Sequence, residues 1–217
     1  MKNILCYGDS NTWGYIAGSM NPEFMLAERL PYEVRWTGIL QNLLGSQYHL
    51  IEAGLNGRTT AFDEVGIVRA SRNGLSTLPG ILDMHYPLDL VIFMLGTNDV
   101  KTQFKVSPAE VTHGMRQLIH YVKSSHLGPQ FSSPEVMLIA PAPIVNVGSP
   151  LFKLFYDEAS VAKSEELAQP YQNLAEQEKC MFLNAGPIVK ISMNDGVHYE
   201  PASHKTLAAA IKKKISA

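Results

Sequence analysis

Ile4-Leu5-Cys6-Tyr7-Gly8-Asp9-Ser10-Asn11 decides how the rest of the chain is read. Its apolar run suits a strand covered on both faces, and Gly8-Asp9 ends that strand abruptly. A serine directly behind such a strand lies where open α/β sheets bind their ligands, at the carboxyl end. Four more runs of the same kind follow: His49 to Glu52, Leu88 to Leu95, Val136 to Ala140 and Met181 to Asn184. Four of the five are largely apolar on both faces. Between them lie helix-like segments at about Tyr32 to Leu44, Gly74 to His85, Pro108 to Ser125, Val161 to Glu178 and Pro201 to Ile215. This alternation predicts right-handed crossovers and an α/β three-layer αβα sandwich with a central parallel sheet of about five strands.

Local signals support several boundaries. Ser107-Pro108 reads as a helix start, with Ser107 as cap, Pro108 at the first helical position and Glu110 three residues past the cap. Gly128-Pro129 reads as a stop. Pro170 predicts a kink or break in the fourth helical segment. No repeat or low-complexity tract interrupts the pattern, so residues 1–217 read as a single domain. Two stretches fall outside the alternation, Ala17 to Pro31 and an apolar insertion at about residues 141–160. The insertion carries Ile144, Val145, Val147, Leu151, Phe152, Leu154, Phe155 and Tyr156. It either lids a pocket or buries itself against another subunit, and its size favours the subunit contact and a homo-oligomer.

Composition excludes several partner classes. The net charge of −2 gives no electrostatic reason to expect nucleic acid or an anionic membrane. The basic run Lys212-Lys213-Lys214 lies in the last turns of a terminal helix, where positive charge complements the helix dipole. Cys6 and Cys180 are flanked by apolar residues and read as buried structural thiols. With no secretory signal after Lys2 and no apolar run of about 20 residues, a cytoplasmic location is expected.

The second decisive stretch is Asp195-Gly196-Val197-His198 near the other end of the chain. A serine hydroxyl is a poor nucleophile until a base takes its proton, and an imidazole held by a carboxylate is such a base. Asp195 reaches His198 if the segment turns back on itself, which Gly196 makes sterically easy. Two further loops should converge on the same sheet edge, Gly54-Leu55-Asn56-Gly57 and Gly96-Thr97-Asn98-Asp99. The Gly57 amide, the Asn98 side-chain amide and the Ser10 amide suit an oxyanion hole. Each feature alone also fits an ordinary turn or cap.

Together, Gly8-Asp9-Ser10-Asn11, Gly57, Gly96-Thr97-Asn98-Asp99 and Asp195-Gly196-Val197-His198 resemble the four signature blocks of the SGNH hydrolase superfamily, the GDSL esterases. The blocks stand in that family's order and span nearly the whole chain. The resemblance implies a flavodoxin-like sheet, a catalytic triad of Ser10, Asp195 and His198, an oxyanion hole of Ser10, Gly57 and Asn98, and no cofactor or metal. Thr12-Trp13-Gly14 and Arg58-Thr59-Thr60 resemble the bacterial arylesterase and acyltransferase branch, whose members are often oligomeric and handle short acyl groups. Asn11 departs from the family's common leucine, either in the packing behind the nucleophile or through a polar contact.

The remaining candidates are weighed against this set. Trp13 either walls a substrate pocket or packs under the first loop. His204 is the rival base, but it falls inside the terminal helix, where Ser10 is harder to reach. His113 and His120 share a helix face and read as packing or solvated residues. The α/β-hydrolase elbow Gly-x-Ser-x-Gly is absent, because Thr12 stands where its second glycine would be. The expectation is a serine esterase for small or aryl esters with short, acetyl-type acyl groups, with acyl transfer to alcohols as a side path. The alternatives are a carbohydrate acetylesterase or a non-catalytic binding module that keeps the fold.

Overall fold

The computed structural model describes residues 1–64 and 70–216. Strands form where the apolar runs stand: β1 (Lys2–Gly8), β2 (Tyr48–Gly54), β3 (Leu90–Met94), β4 (Glu135–Ala140) and β5 (Met181–Asn184). They pair in parallel in the order β2-β1-β3-β4-β5. Among the described residues the helices are α1 (Ser10–Trp13), α2 (Trp36–Leu44), α3 (Gly74–His85), α4 (Pro108–Ser124), α5 (Pro150–Phe155), α6 (Glu158–Glu166), α7 (Ala168–Gln177) and α8 (Pro201–Ile215).

The two-residue period of the strands sorts their side chains into two cores. Leu5, Tyr7, Val91, Phe93 and Leu138 face one side, where Leu78 and Leu82 of α3, Met115 and Leu118 of α4, and Tyr171 and Leu174 of α7 meet them. Ile4, Cys6, Ile92, Met94, Met137 and Ile139 face the other, under Trp36 and Leu40 of α2 and Leu207 and Ile211 of α8. This is the three-layer sandwich expected. No helix of the described residues is long and apolar enough to cross a membrane.

Several boundaries differ from the sequence reading, each for a local reason. The segment from Tyr32 splits into a 3-10 turn (Tyr32–Val34) and α2, because Arg35 is extended at φ −70° and ψ 145°. From there its guanidinium reaches both carboxylate oxygens of Glu52 on β2, at 2.8 Å each. The capping box at Ser107 and Glu110 forms as read. Gly128 is not the stop of α4, however: the helix ends at Ser124, and His126 (φ 56°) takes the left-handed turn. The fourth helical segment breaks at Leu167 into α6 and α7, three residues before Pro170, whose ring nitrogen has no proton for the Glu166 carbonyl.

The chain itself covers most of the 141–160 stretch, so the size of the insertion does not require a subunit contact. Ile144, Phe152 and Tyr156 are buried in the chain's own core, with Leu151 and Phe155 packed against it. Of the eight apolar side chains named, only Val145 and Leu154 are exposed. Six of its residues fold into α5, capped by the Ser149 hydroxyl, which accepts from the Phe152 amide at 3.1 Å. Cys6 is buried as read and Cys180 only half-buried; both are free, and burial raises both thiols above their usual range.

Candidate active site

β1 delivers Gly8-Asp9 into α1, a single helical turn. The Asp9 carboxylate caps that turn by accepting from the Asn11 amide at 2.9 Å, and Gly14 (φ 90°) ends it. Ser10 is therefore fixed at the mouth of the sheet, between β2 and β3, where the strand order reverses direction. The chain after β5 returns to the same place. There Asp195 Oδ1 accepts from the Val197 and His198 amides at 2.9 and 3.0 Å, and Gly196 (φ 79°) allows the reversal.

These two segments meet in an unbroken hydrogen-bonded line. Ser10 Oγ lies 2.9 Å from His198 Nε2, and His198 Nδ1 lies 2.7 Å from Asp195 Oδ2. All three residues are buried. Burial pushes the Asp195 carboxyl upward, but the bond and charge of His198, with the two backbone amides, outweigh it and hold the group down at about 2. The acid is thus ionised at neutral pH, which fixes the proton of the imidazole on Nδ1 and leaves Nε2 facing the serine.

The other two loops line the same cavity. Asn98, after β3, donates one Nδ2 hydrogen to the Arg58 carbonyl at 3.1 Å. Its second Nδ2 hydrogen remains for another acceptor, and Asn98 lines the same cavity as Ser10, Gly57 and His198. The Gly57 loop is tied down beneath. Asp99 Oδ1 accepts from the Thr60 amide and hydroxyl at 2.8 and 2.6 Å. Arg58 Nη1 donates to the Gly8 and Ala53 carbonyls, and its guanidinium lies 3.9 Å from the centre of the Tyr7 ring. Burial raises the carboxyls of Asp9 and Asp99, to about 7 and about 6.

The cavity holds about 530 Å³ and has two different sides. Leu151, Phe155 and Tyr156 of the insertion make an apolar side, so this segment does form part of a pocket wall. Beside it, with Lys101 Nζ 4.6 Å from the centre of the Phe155 ring, Glu64 Oε1 accepts from Lys101 Nζ and Gln103 Nε2, both at 3.1 Å. Trp13 does not line the cavity, contrary to the first of its two readings; its ring lies 5.0 Å under the Arg29 guanidinium. The aromatic residue against the His198 imidazole is Tyr15, whose ring stacks on it with centroids 3.7 Å apart and planes 8° apart. Burial and the Asp195 charge raise the Tyr15 hydroxyl to about 12, so the ring is neutral. Sequence reasoning passed over Tyr15. The signal available was Gly14, which turns the chain back over the site immediately before it.

The rival histidine is placed elsewhere. His204 is buried in the second core, where Nδ1 accepts from the Trp36 amide at 3.2 Å and so satisfies the start of α2. Burial, then the charge of Arg35, lower it to about 4. His120 is exposed and bonds Glu178 at 2.9 Å. Among the described residues, no three His, Cys, Asp or Glu side chains are grouped to hold a metal ion.

The sequence pattern of the GDSL-like lipase/acylhydrolase family matches residues 6–206, which include every residue of this arrangement except the start of β1. The chain belongs to the GDSL-like lipase/acylhydrolase family. It is 27% identical over 222 residues to an arylesterase of Vibrio mimicus, covering 99% of this chain and 88% of the relative. Among solved structures it is similar to the native aryl esterase of M. smegmatis, at 38% identity and a TM-score of 0.91 over 100% of this chain and 99% of the other. It is similar as well to a carbohydrate acetylesterase of Sinorhizobium meliloti, at 38% identity and a TM-score of 0.90, again over 100% and 99%. Family membership, with relatives of these kinds along its full described length, makes the chain a carboxylic ester hydrolase.

Proposed function

We propose that Ser10, His198 and Asp195 are the catalytic triad of this esterase and that its substrates are short-chain, acetyl-type esters, aryl esters included. Ser10 Oγ attacks the ester carbonyl while His198 Nε2 takes its proton; the imidazolium so formed faces Asp195 at 2.7 Å. The Ser10 and Gly57 amides and Asn98 Nδ2 donate to the oxyanion of the tetrahedral intermediate. Collapse breaks the bond to the alcohol, whose oxygen takes the proton from His198. Water, deprotonated by the same nitrogen, then releases the acid from Ser10. The observation that carries this reading is the continuous Ser10–His198–Asp195 line, at 2.9 and 2.7 Å, opening into a cavity that Gly57 and Asn98 also line.

The test is hydrolysis of p-nitrophenyl acetate against p-nitrophenyl octanoate by wild type and Ser10→Ala. The expected outcome is acetate-selective turnover that drops at least about a thousandfold in the variant. Wild-type rates surviving in Ser10→Ala refute the nucleophile, and equal rates on both esters refute the short acyl pocket. An alcohol that enters ahead of water is acylated instead, and the apolar side formed by Leu151 and Phe155 supports this side path.

The polar side of the cavity favours a second reading for the alcohol half of the substrate, an acetylated sugar. Glu64, Lys101 and Gln103 there offer an acceptor and donors to hydroxyl groups. Lys101→Met should then lower kcat/KM on an acetylated sugar and leave p-nitrophenyl acetate unchanged. We also assign the chain to the cytoplasm and to a homo-oligomer. Two free thiols support the first and the neighbouring exposed Phe24, Met25 and Leu26 the second. Sedimentation at micromolar concentration showing only a single-chain species refutes the oligomer.

A further inference from the structure

Asn11 takes no part in the chemistry just described, yet its side chain is almost fully buried between the two segments that carry it. Its Oδ1 accepts from the Tyr199 amide at 3.0 Å, and its Nδ2 makes a longer contact of 3.5 Å to the Val197 carbonyl. Those two groups belong to the peptide units on either side of His198. The other backbone groups of this short run are also held, the His198 amide by Asp195 Oδ1 at 3.0 Å and the His198 carbonyl by the Ser192 amide at 2.8 Å. Asn11 differs from these partners in coming from the nucleophile's own helix, one residue after Ser10. Its own amide is fixed by Asp9 at 2.9 Å, so the carboxamide starts from a rigid base.

We propose that Asn11 is a positioning residue that sets the distance between Ser10 and His198 by clamping the two peptide units flanking the histidine. A carboxamide is the side chain of this size that serves both ends, since one partner is a donor and the other an acceptor. Leucine has the same branched shape but leaves a buried amide and a buried carbonyl unpaired; aspartate keeps the first bond and sets a carboxylate against the second carbonyl. The clamp acts on geometry alone: it moves the imidazole as a unit relative to Oγ, and rates of proton transfer are steeply sensitive to such displacement.

The proposal rests on the reading of His198 as the base, and the experiment separates the two. Turnover of p-nitrophenyl acetate is measured for wild type, Asn11→Leu, His198→Ala and the double variant, each corrected for its folded fraction from a melting curve. Asn11→Leu is expected to lower kcat at least about tenfold with KM within about twofold. In the His198→Ala background the same change is expected to cost less than about twofold, because there is no base left to position. Should the leucine variant not fold, Asn11→Ala, which cannot overpack, replaces it in the same cycle. Wild-type kcat in the folded Asn11 variant, or an equal loss in both backgrounds, overturns the clamp. Undiminished turnover in His198→Ala alone overturns the base assignment itself.

Discussion

Gly57 and Gly196 share a backbone conformation, with φ of 83° and 79°, but not a steric setting, and replacing each by alanine separates the two effects. At Gly57 a Cβ would meet Arg72 Cδ and Nε at 3.5 Å and Glu64 Oε2 at 3.6 Å, which are ordinary contacts. The cost is then the left-handed conformation, about 1–2 kcal/mol, offset by about 0.4–1 kcal/mol from the stiffer unfolded chain. The net for Gly57→Ala is about 1 kcal/mol. At Gly196 a Cβ would stand 2.0 Å from the Val145 carbonyl oxygen and 3.1 Å from Val147 Cγ2. One of the two backbones must move by more than an ångström, and that movement breaks the 2.8 Å bond from the Val145 amide to the Gly196 carbonyl.

Overpacking of this kind costs about 1–3 kcal/mol and a stranded buried backbone pair about 1–3 kcal/mol. Added to the same backbone strain, Gly196→Ala should lose about 3–7 kcal/mol, a large share of the usual 5–15 kcal/mol of a folded domain. Urea unfolding of the three proteins measures the stability difference directly. Esterase assays below each transition report whether the turn still presents His198, and kcat should fall at least a hundredfold in Gly196→Ala. Equal unfolding midpoints for the two variants, or a Gly196→Ala enzyme with wild-type kcat, would refute the reasoning, since φ alone would then account for everything.

Three further outcomes are expected. Asn98→Ala removes one proposed oxyanion donor and should lower kcat by about 100–1,000-fold with little change in KM; a change confined to KM would place Asn98 in substrate binding instead. Tyr15→Leu removes the ring stacked 3.7 Å from His198, where the proposed mechanism forms the imidazolium, and should lower kcat about two- to thirtyfold while Tyr15→Phe stays near wild type; equal rates in leucine and phenylalanine variants would dismiss the stack. His204, held neutral with its value lowered from 6.5 to about 4, gives stability that is present above pH 6.5 and lost as pH falls toward 4, because the unfolded chain binds the proton first. Relative to His204→Gln, which keeps an acceptor for the Trp36 amide, wild type should lose about 3 kcal/mol between pH 7 and 4; a pH-independent difference would contradict the buried neutral state.

The strands and the Ser10–His198–Asp195 convergence were legible because they rest on short-range rules. β3 is apolar at every position since both faces are covered, and the sheet edge collects whatever follows each strand. Loop direction was not legible. Tyr15 stacks on His198 only because Gly14 reverses the chain, and Trp13, two residues earlier, is thereby carried to Arg29 outside the cavity. Arg35 likewise interrupts an otherwise good helix pattern to reach a carboxylate on β2, a long-range demand that no periodicity records. The polar side of the pocket was hidden for the same reason, as Glu64 and Lys101 are 37 positions apart and share no motif.

Burying Asp9, Arg58 and Asp99 next to the proposed reaction centre would be a poor way to stabilise a fold, because desolvation offsets most of what such charges gain. Their arrangement serves position instead. Asp9 fixes the Ser10 turn, Arg58 joins the carbonyl ends of β1 and β2, and Asp99 ties the Gly57 loop to the Asn98 loop. Each makes directional bonds to backbone groups that an apolar side chain could not hold. The proposed oxyanion donors come from three separate segments, and a displacement of about 1 Å in any of them would cost much of their benefit. Raised carboxyl values at Asp9 and Asp99 are the electrostatic cost of that rigidity, and they predict that Asp99→Asn, which keeps the Oδ1 acceptor, gains stability relative to wild type as pH rises from about 4 to 6. Activity should not follow stability in that variant. The Thr60 bonds shorten around a charged acceptor and lengthen around a neutral one, so the Gly57 loop loosens even as the domain gains. A variant more stable and equally active across that range would show that Asp99 is only a buried cost, and the positioning argument would fail at its strongest point.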